Sequence, residues 1–503
     1  MSFSLALDRL LSLLAAQAIV PQVLTDTDAV QPLVLTGLST DSRSLTQGQG
    51  FVALRGERFD GHQFLAIAQE QGATLALVDG QFQPTPGDLT LGLTLVQVDN
   101  TLRAYQAIAH WWRQQFQIPV IGVTGSVGKT TTKELIAAMV ATQGPVLKTE
   151  ANYNNEIGVP KTLLQLRTHH RYAVIEMAMR GPGEIAELAA IAAPTLGVIT
   201  NVGVAHIERL GSREAIAAAK CELLTEMAKS KPGLAPGLAP ESAINLSATN
   251  LSATNLPATN LSATNLGEPI AILNQDNPLL MATAQGCWQG KTITFGLEGG
   301  QVQGQLRDLE TLAVGDHVFQ LPLAGEHNAL NFLAALAVAD CVGVPRSALT
   351  QLQVTLPGGR AKRLNWDQDI VALDETYNAG PESMAAALVL LSQIPGQRHL
   401  AVLGTMKELG EKSLGFHRDI GQRVQSLGLD RLLVLADPGE AQALADGAGS
   451  VPTEQFTDPA QLVQRLKEVV QPGDRLLFKA SRSVALDQVV TQLAQHFDPS
   501  GNL

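Results

Sequence analysis

One segment limits what this chain can fold into more than any other: Gly122-Val-Thr-Gly125-Ser126-Val127-Gly128-Lys129-Thr130-Thr131-Thr132. It follows an apolar, β-branched run, IPVIGV (118–123), and it opens a stretch from Thr131 to Thr142 that reads as a helix. Glycines let the backbone curl until its N–H groups face phosphate oxygens, and a helix N-terminus adds positive potential there. Lys129 is then expected to reach the β- and γ-phosphates of a nucleotide, and Thr130 or Thr131 to offer a hydroxyl to Mg²⁺. The spacing departs from the strict GxxxxGK[ST] form, because Val123 stands where the first glycine is expected and Gly125 takes over that duty. A strand–loop–helix unit of this kind belongs in a layered α/β domain.

The surrounding pattern agrees. YAVIEM (172–177), TLGVIT (195–200) and IAIL (270–273) are short unbroken apolar runs, as buried parallel strands should be, with helical stretches such as Arg213 to Ala228 between them. IVALD (370–374), LAVLG (400–404), RLLVLA (431–436) and RLLFKA (475–480) repeat the pattern near the C-terminus, after a helical stretch from Ala324 to Val342. Residues 1 to about 105 instead mix short strands with turn-rich segments. The expected architecture is therefore α/β in three domains. These are an N-terminal mixed α/β domain (1–105), a central parallel-sheet domain with the phosphate loop (106–322), and a C-terminal Rossmann-like domain (323–503). Within the central domain, residues 233–266 repeat NLSAT with a period of five, which matches neither a helix nor a standard solenoid. A flexible surface insertion without a catalytic role is expected there; a short stacked β-structure built on its leucines is the alternative.

Charge and cysteine content narrow the partners. Lys+Arg is 35 and Asp+Glu is 47, a formal net charge of −12, which disfavours a nucleic-acid partner. Cys221, Cys287 and Cys341 show no CxxC spacing, so no disulfide framework or cysteine zinc site is expected, and a cytoplasmic location fits. LLSLLAAQAIV (10–20) resembles a signal sequence, but Asp8 beside Arg9 removes the basic flank. Leu5, Leu7, Leu10, Leu11 and Leu14 trace a helical face instead. No other apolar run is long enough to span a bilayer.

Other candidates lie downstream of the loop. Glu176 closes the YAVIEM strand, and strand C-termini in open α/β sheets face the ligand crevice. Asn201 and His206 sit in TNVGVAH (200–206), at the same sheet edge. Asn154 and Asn155 lie in a polar loop that leads to Gly158 and Pro160. Lys220, in AIAAAKCELL, reads by composition as a surface lysine.

Taken together these pieces resemble the Mur ligase family, ATP-dependent amide-forming enzymes of peptidoglycan precursor synthesis. The likeness covers nearly the whole chain outside 233–266. The loop Thr124–Thr131 is similar to the family's TGSxGKTT, Asn152–Pro160 to NxNNxxGxP, and Glu176–Ile185 to EMxxxxxGEI. Thr200–His206 resembles TNxxxAH, and Lys220-Cys221-Glu222 resembles KxE. Further on, Gly325–Asn331 resembles GxHNxxN, Gly359-Arg360 the family's GR, and Asp374–Pro381 the DDxYNANP element. Leu403–Gly410 resembles GDMxELG and Lys479–Arg482 resembles KGSR. Asp41-Ser42-Arg43, Phe51–Gly56 and Asp60-Gly61-His62 resemble a uridine-nucleotide module. Glu375, Thr405 and Ala480 replace an aspartate, an aspartate and a glycine of the family pattern.

The resemblance implies roles. ATP would be held by Gly125, Ser126, Val127, Gly128, Lys129, Thr130 and Thr131, with Asn328, Asn331, Arg360 and Glu375 reaching the nucleotide from the third domain. Two Mg²⁺ ions would be held by Thr130, Glu176, His206 and a carbamylated Lys220, and Lys129, Glu176, His206 and Lys220 would carry the catalysis. Ser42, Arg43, Asn154, Asn155, Tyr377, Asn378, Ser481 and Arg482 would bind the substrates. Within the family, the YNA and ELG elements favour members that join D-alanyl-D-alanine to UDP-N-acetylmuramoyl-tripeptide through an acyl phosphate. A monomer acting on small molecules is expected. A sister Mur ligase, a folylpolyglutamate-type amide ligase and a non-catalytic nucleotide-binding regulator remain open at this point.

Overall fold

The computed structural model describes residues 2–25, 33–229 and 268–498. The repeat at 233–266, and both expectations attached to it, lie outside the described residues. Three sheets of five or more strands organise the described residues.

The central sheet has seven strands, all parallel. Its order is Val146–Lys148, Tyr172–Glu176, Val120–Thr124, Leu196–Ile199, Ile270–Asn274, Lys291–Gly296 and Val302–Gln303. The strand that feeds the phosphate loop is thus interior, buried along its whole length. Its register sets Val123 beside Glu176 on one neighbour and Thr124 beside Ile199 on the other. Three strand ends therefore reach the same edge of the sheet. The helix Lys129–Ala141 covers one face, and the helix Glu326–Cys341 packs directly on it. Phe332 and Leu333 of that second helix are fully buried, worth about 1.5–3 kcal/mol each. Helices Glu184–Ala192 and Arg213–Lys229 cover the other face.

The C-terminal sheet has the order Lys362–Trp366, Ile370–Asp374, Asp474–Lys479, Arg398–Gly404, Arg431–Leu435 and Thr453–Phe456. It is parallel except for its first, edge strand. All four strands expected here form, with ends displaced by at most two residues; the antiparallel edge strand was not expected. The N-terminal unit carries a five-stranded sheet and the helix Leu7–Ala16, which buries Leu10, Leu13 and Leu14. Leu5 lies just ahead of that helix in a short strand paired with Leu35. Among the described residues, no helix is long and apolar enough to cross a membrane.

The packing moves both expected domain boundaries. The helix Thr101–Gln114 runs through the 105/106 division and touches both the first helix and the central unit. From it, Gln106 Nε2 donates to Glu187 Oε1 at 2.6 Å and Trp112 Nε1 to the Leu166 carbonyl at 3.2 Å. The 322/323 division precedes the helix Glu326–Cys341, which shares the central core. The change of core falls instead between Cys341 and Lys362. Asn328 and Asn331 consequently stand on the central unit, because that helix buries its apolar face against the phosphate-loop helix.

Candidate active site

Fifteen of the candidate residues line one cavity of about 480 Å³ between the central and C-terminal sheets. Ser126, Val127, Gly128, Lys129, Thr130, Thr131, Asn154, Glu176, His206, Asn328 and Asn331 come from the central unit. Arg360, Glu375, Tyr377 and Asn378 come from the other side.

The loop conformation explains its glycines. Gly125 has φ +150° and Gly128 φ +81°. A Cβ on Gly125 would lie 1.9 Å from Thr200 Oγ1, and one on Gly128 would lie 2.3 Å from Asn331 Oδ1. Asn201 pins the curl: the Ser126 and Val127 amides donate to its Oδ1 at 3.1 and 3.0 Å. Ser126 Oγ in turn accepts from the Gly203 amide at 2.8 Å. The first helical turn after Gly128 has no intrahelical acceptors for its own N–H groups. The amides of Lys129, Thr130 and Thr131 are the ones positioned to meet an anion, whereas those of Ser126 and Val127 are engaged by Asn201. Lys129 Nζ donates to the Gly125 and Ser126 carbonyls at 2.7 and 3.2 Å. Burial lowers its pKa, and Arg360 acts in the same direction against the pull of Glu176.

Glu176 is fixed at both oxygens. Thr130 Oγ1 donates to Oε2 at 2.9 Å, and Asn154 Nδ2 donates to Oε1 at 2.8 Å. Lys133 stands behind it, fully buried, with Nζ 3.9 Å from Glu176 Oε2 and donating to the Thr149 carbonyl at 2.7 Å. Asn331 Oδ1 accepts from Thr132 Oγ1 at 3.2 Å, and Asn328 Nδ2 donates to the Ala324 carbonyl at 2.9 Å.

Lys220 overturns the reading by composition, since it is 1% exposed rather than on the surface. The helix Arg213–Lys229 turns it under the sheet edge, close enough to Lys129 for repulsion to add to burial. Both effects hold its pKa well below the usual lysine value. Its side chain has no hydrogen bond or ion pair among the described residues. His206 has φ +66°, and its Nδ1 lies 2.5 Å from Glu408 Oε2 of the C-terminal unit. That contact holds the Glu408 carboxyl below its ordinary range.

On the C-terminal wall, Arg360 stacks on the Tyr377 ring, 3.7 Å from its centroid, and Arg482 lies 5.2 Å from the same centroid. Glu375 accepts from the Ala361 amide at 3.1 Å and from Lys479 Nζ at 3.3 Å.

Other candidates lie elsewhere. Ser42 and Arg43 border a separate cavity in the N-terminal unit with Phe51, Phe59 and Phe64. There, Arg43 holds the Asp41 carboxyl down at about 2. Asn155 caps a turn, its Oδ1 accepting from the Gly158 amide at 2.9 Å. Ser481 Oγ accepts from the Lys407 amide at 2.9 Å. Gly125, Asn155, Lys220, Ser481 and Arg482 are not among the residues that line the cavity. The cavity also contains Asn201, a candidate from TNVGVAH, and three residues that the sequence did not single out: His327 lies inside a quoted motif, and Asn274 and Glu382 carry no signal.

A phosphate loop at the edge of a parallel sheet, facing a second α/β unit across a polar cleft, defines a nucleotide-dependent enzyme of two opposed domains. The comparisons give the family. The Mur ligase middle domain matches residues 123–250 and 259–339, the Mur ligase glutamate ligase domain matches 359–482, and the Mur ligase family catalytic domain matches 34–112. The chain belongs to the Mur ligase family. The UDP-N-acetylmuramoyl-tripeptide–D-alanyl-D-alanine ligase of Synechocystis sp. is 52% identical over 474 residues, 94% of each chain. The enzyme of the same name from Bacillus subtilis is 34% identical, over 92% of this chain and 94% of its own. Among solved structures, MurF from Acinetobacter baumannii superposes with a TM-score of 0.80 at 28% identity, covering 98% of this chain and 99% of its own. MurF from Thermotoga maritima in complex with ADP gives 0.74 at 29% identity, covering 92% and 98%.

Proposed function

We propose that this chain is an ATP-dependent ligase that joins D-alanyl-D-alanine to UDP-N-acetylmuramoyl-tripeptide, in the cytoplasm and as a monomer. The observation that carries the reading is the single cavity shared by the phosphate loop and the Tyr377-Asn378 loop. A near-full-length relative with that activity in its name is 52% identical.

A carboxylate acylates nothing at neutral pH until a better leaving group is attached. The tripeptide's terminal carboxylate attacks the γ-phosphorus of ATP, giving an acyl phosphate and ADP. The amine of D-alanyl-D-alanine then attacks the carbonyl, and the tetrahedral intermediate expels phosphate. Charge spreads over the transferred phosphoryl oxygens, so fixed positive groups contribute most. Lys129 and the amides opening its helix supply them from one wall and Arg360 from the other. Asn328, Asn331 and Glu375 hold the nucleoside end. Asn154, Tyr377 and Asn378 border the acceptor side. Ser42 and Arg43 hold the uridine nucleotide. The two walls exclude water that would hydrolyse the acyl phosphate.

The donors present suit Mg²⁺, which takes oxygen ligands and borrows several from phosphates and water. Thr130 and Glu176 would hold one ion, and no group of three or more acidic, His or Cys side chains is needed or found among the described residues. His206 and Lys220 would hold the second. An unmodified amine is a poor Mg²⁺ ligand, but a lysine kept neutral by burial can add CO₂ to become an anionic carbamate. Bound there, the ions supply Lewis-acid neutralisation of the phosphates.

Phosphate release from Mg-ATP with UDP-N-acetylmuramoyl-tripeptide, with and without D-alanyl-D-alanine, tests the proposal. Release requiring both substrates, with a pentapeptide product by mass, is expected. Release only with a different amino acid would overturn the acceptor assignment.

A further inference from the structure

Three carboxylates line the cavity: Glu176, Glu375 and Glu382. Two are fully occupied. Glu176 accepts from Thr130 and Asn154, one on each oxygen. Glu375 accepts from the Ala361 amide on one oxygen and from Lys479 on the other.

Glu382 differs. It stands in the first turn of the helix Pro381–Gln393, directly after the Tyr377–Gly380 loop. Its Oε1 accepts from the Val204 amide at 2.7 Å, across the seam between the two units. The carboxylate lies against Gly203, where a Cβ would fall 2.4 Å from Oε1. Its Oε2 is buried and has no hydrogen-bond partner among the described residues. A carboxylate oxygen withdrawn from water without a donor is costly, and a cationic donor is the strongest remedy.

The cavity's charges are sorted accordingly. Lys129 and Arg360 suit phosphate oxygens, and neither is paired with a carboxylate that would cancel it. Of the two substrates that enter this cavity besides the tripeptide's carboxylate end, only the dipeptide carries a cation, its terminal ammonium. We infer that Glu382 Oε2 receives the ammonium group of the amine acceptor, with Oε1 anchored by Val204 so that the carboxylate cannot turn away. This rests on the ligase reading above and names the group that recognises its second substrate. Because the anchor lies on the central unit and Glu382 on the C-terminal unit, the subsite is complete only when the two are docked. The acceptor's charge is then read beside the phosphate loop.

Glu382→Gln is the test. The amide oxygen still accepts from Val204, but an N–H₂ group replaces Oε2. The KM for D-alanyl-D-alanine should rise at least ~10-fold, the scale for losing a hydrogen bond to a charged group. The KM for ATP and for UDP-N-acetylmuramoyl-tripeptide should stay within about twofold, because neither uses this oxygen. Positional isotope exchange in γ-labelled ATP, run without the dipeptide, reports acyl-phosphate formation and should be unchanged. A competitor that lacks the ammonium, D-lactyl-D-alanine, should inhibit both proteins equally. Glu382→Ala, checked for folding by its thermal melt, should raise the dipeptide KM as well. An unchanged dipeptide KM in Glu382→Gln would overturn the inference. So would an equal rise in all three KM values, which would mark Glu382 as part of the domain seam only. Wild-type protein that turns over another amino acid instead defeats the acceptor assignment alone; the KM for that amino acid then decides Glu382 by the same criterion.

Discussion

The two walls of the cavity are built on different principles. On the central wall, the phosphate loop and Glu176 are held by neighbours from their own unit: Asn201 holds Ser126 and Val127, while Thr130 and Asn154 hold Glu176. On the C-terminal wall, Glu375 is held within its own unit by the Ala361 amide and Lys479, while Glu382 meets Val204 and Glu408 meets His206 across the seam. The phosphate loop and Glu176 thus take none of these hydrogen bonds from the opposite wall. A preorganised wall suits phosphate, whose charge must be met without rearrangement. A wall completed by docking suits a second substrate whose arrival has to follow the first.

The largest expected effect removes the central wall's cation. Lys129→Ala should lower kcat by at least ~10²-fold, the scale for one preorganised charge-stabilising group. Near-normal turnover would show that the C-terminal wall carries the phosphoryl step instead. Lys220→Ala should lose kcat by a similar ~10² factor and recover part of it with a small added carboxylic acid. Absence of any loss would remove Lys220 from the site.

Lys220 also makes a pH prediction with a definite sign. Its folded pKa lies well below the ordinary 10.5, because burial and Lys129 both disfavour the ammonium. Between the depressed value and 10.5 the unfolded chain holds a proton that the folded chain does not, so stability rises with pH across that window. Lys220→Met removes this dependence. Measured in CO₂-depleted buffer, its melting temperature should exceed that of the wild type at neutral pH, and the gap should close toward pH 10.5. A gap that widens with pH would contradict a buried neutral amine.

The difference between the walls also explains what the sequence made legible. The central wall is local: strand, glycine curl, lysine and helix follow one another within fifteen residues, and the carboxylate ends the next buried strand. Periodicity and glycine spacing report such arrangements directly. Lys220 was invisible to composition, because nothing in AIAAAKCELL says which helical face turns under the sheet. Asn328 and Asn331 were assigned to the wrong unit, since a helix shows an apolar face without showing which core it joins. Glu382 sits in the first turn of a helix with no signal of its own, and its partner lies 178 residues earlier in the chain. Contacts across a seam leave no periodicity to read.

A middle-sized effect sharpens the claim of preorganisation. Asn201→Ala removes the acceptor of the Ser126 and Val127 amides and leaves Lys129, Thr130 and Thr131 unchanged. Losing one or two such bonds costs about 1–3 kcal/mol, so ATP affinity should fall ~10-fold or more. The expected signature is a raised KM for ATP with the dipeptide KM unmoved. Equal loss in both would mean that the loop is shaped by docking and that the walls are not independent.

The smallest effect lies at the seam. Glu408 is 43% exposed, and its pairing with His206 is open to solvent on the glutamate side. Exposed pairs contribute about 0.2–1 kcal/mol, so Glu408→Gln should lower kcat/KM by only about two- to fivefold. The pair should also weaken with salt, since screening acts on exposed charges first. The informative quantity is therefore the ratio of wild type to variant as ionic strength rises. A ratio that shrinks toward one assigns Glu408 to docking alone. A ratio that holds, or a loss far beyond fivefold, would mean that Glu408 orients the His206 ring for chemistry; the C-terminal wall would then be organising the central one, against the order argued above.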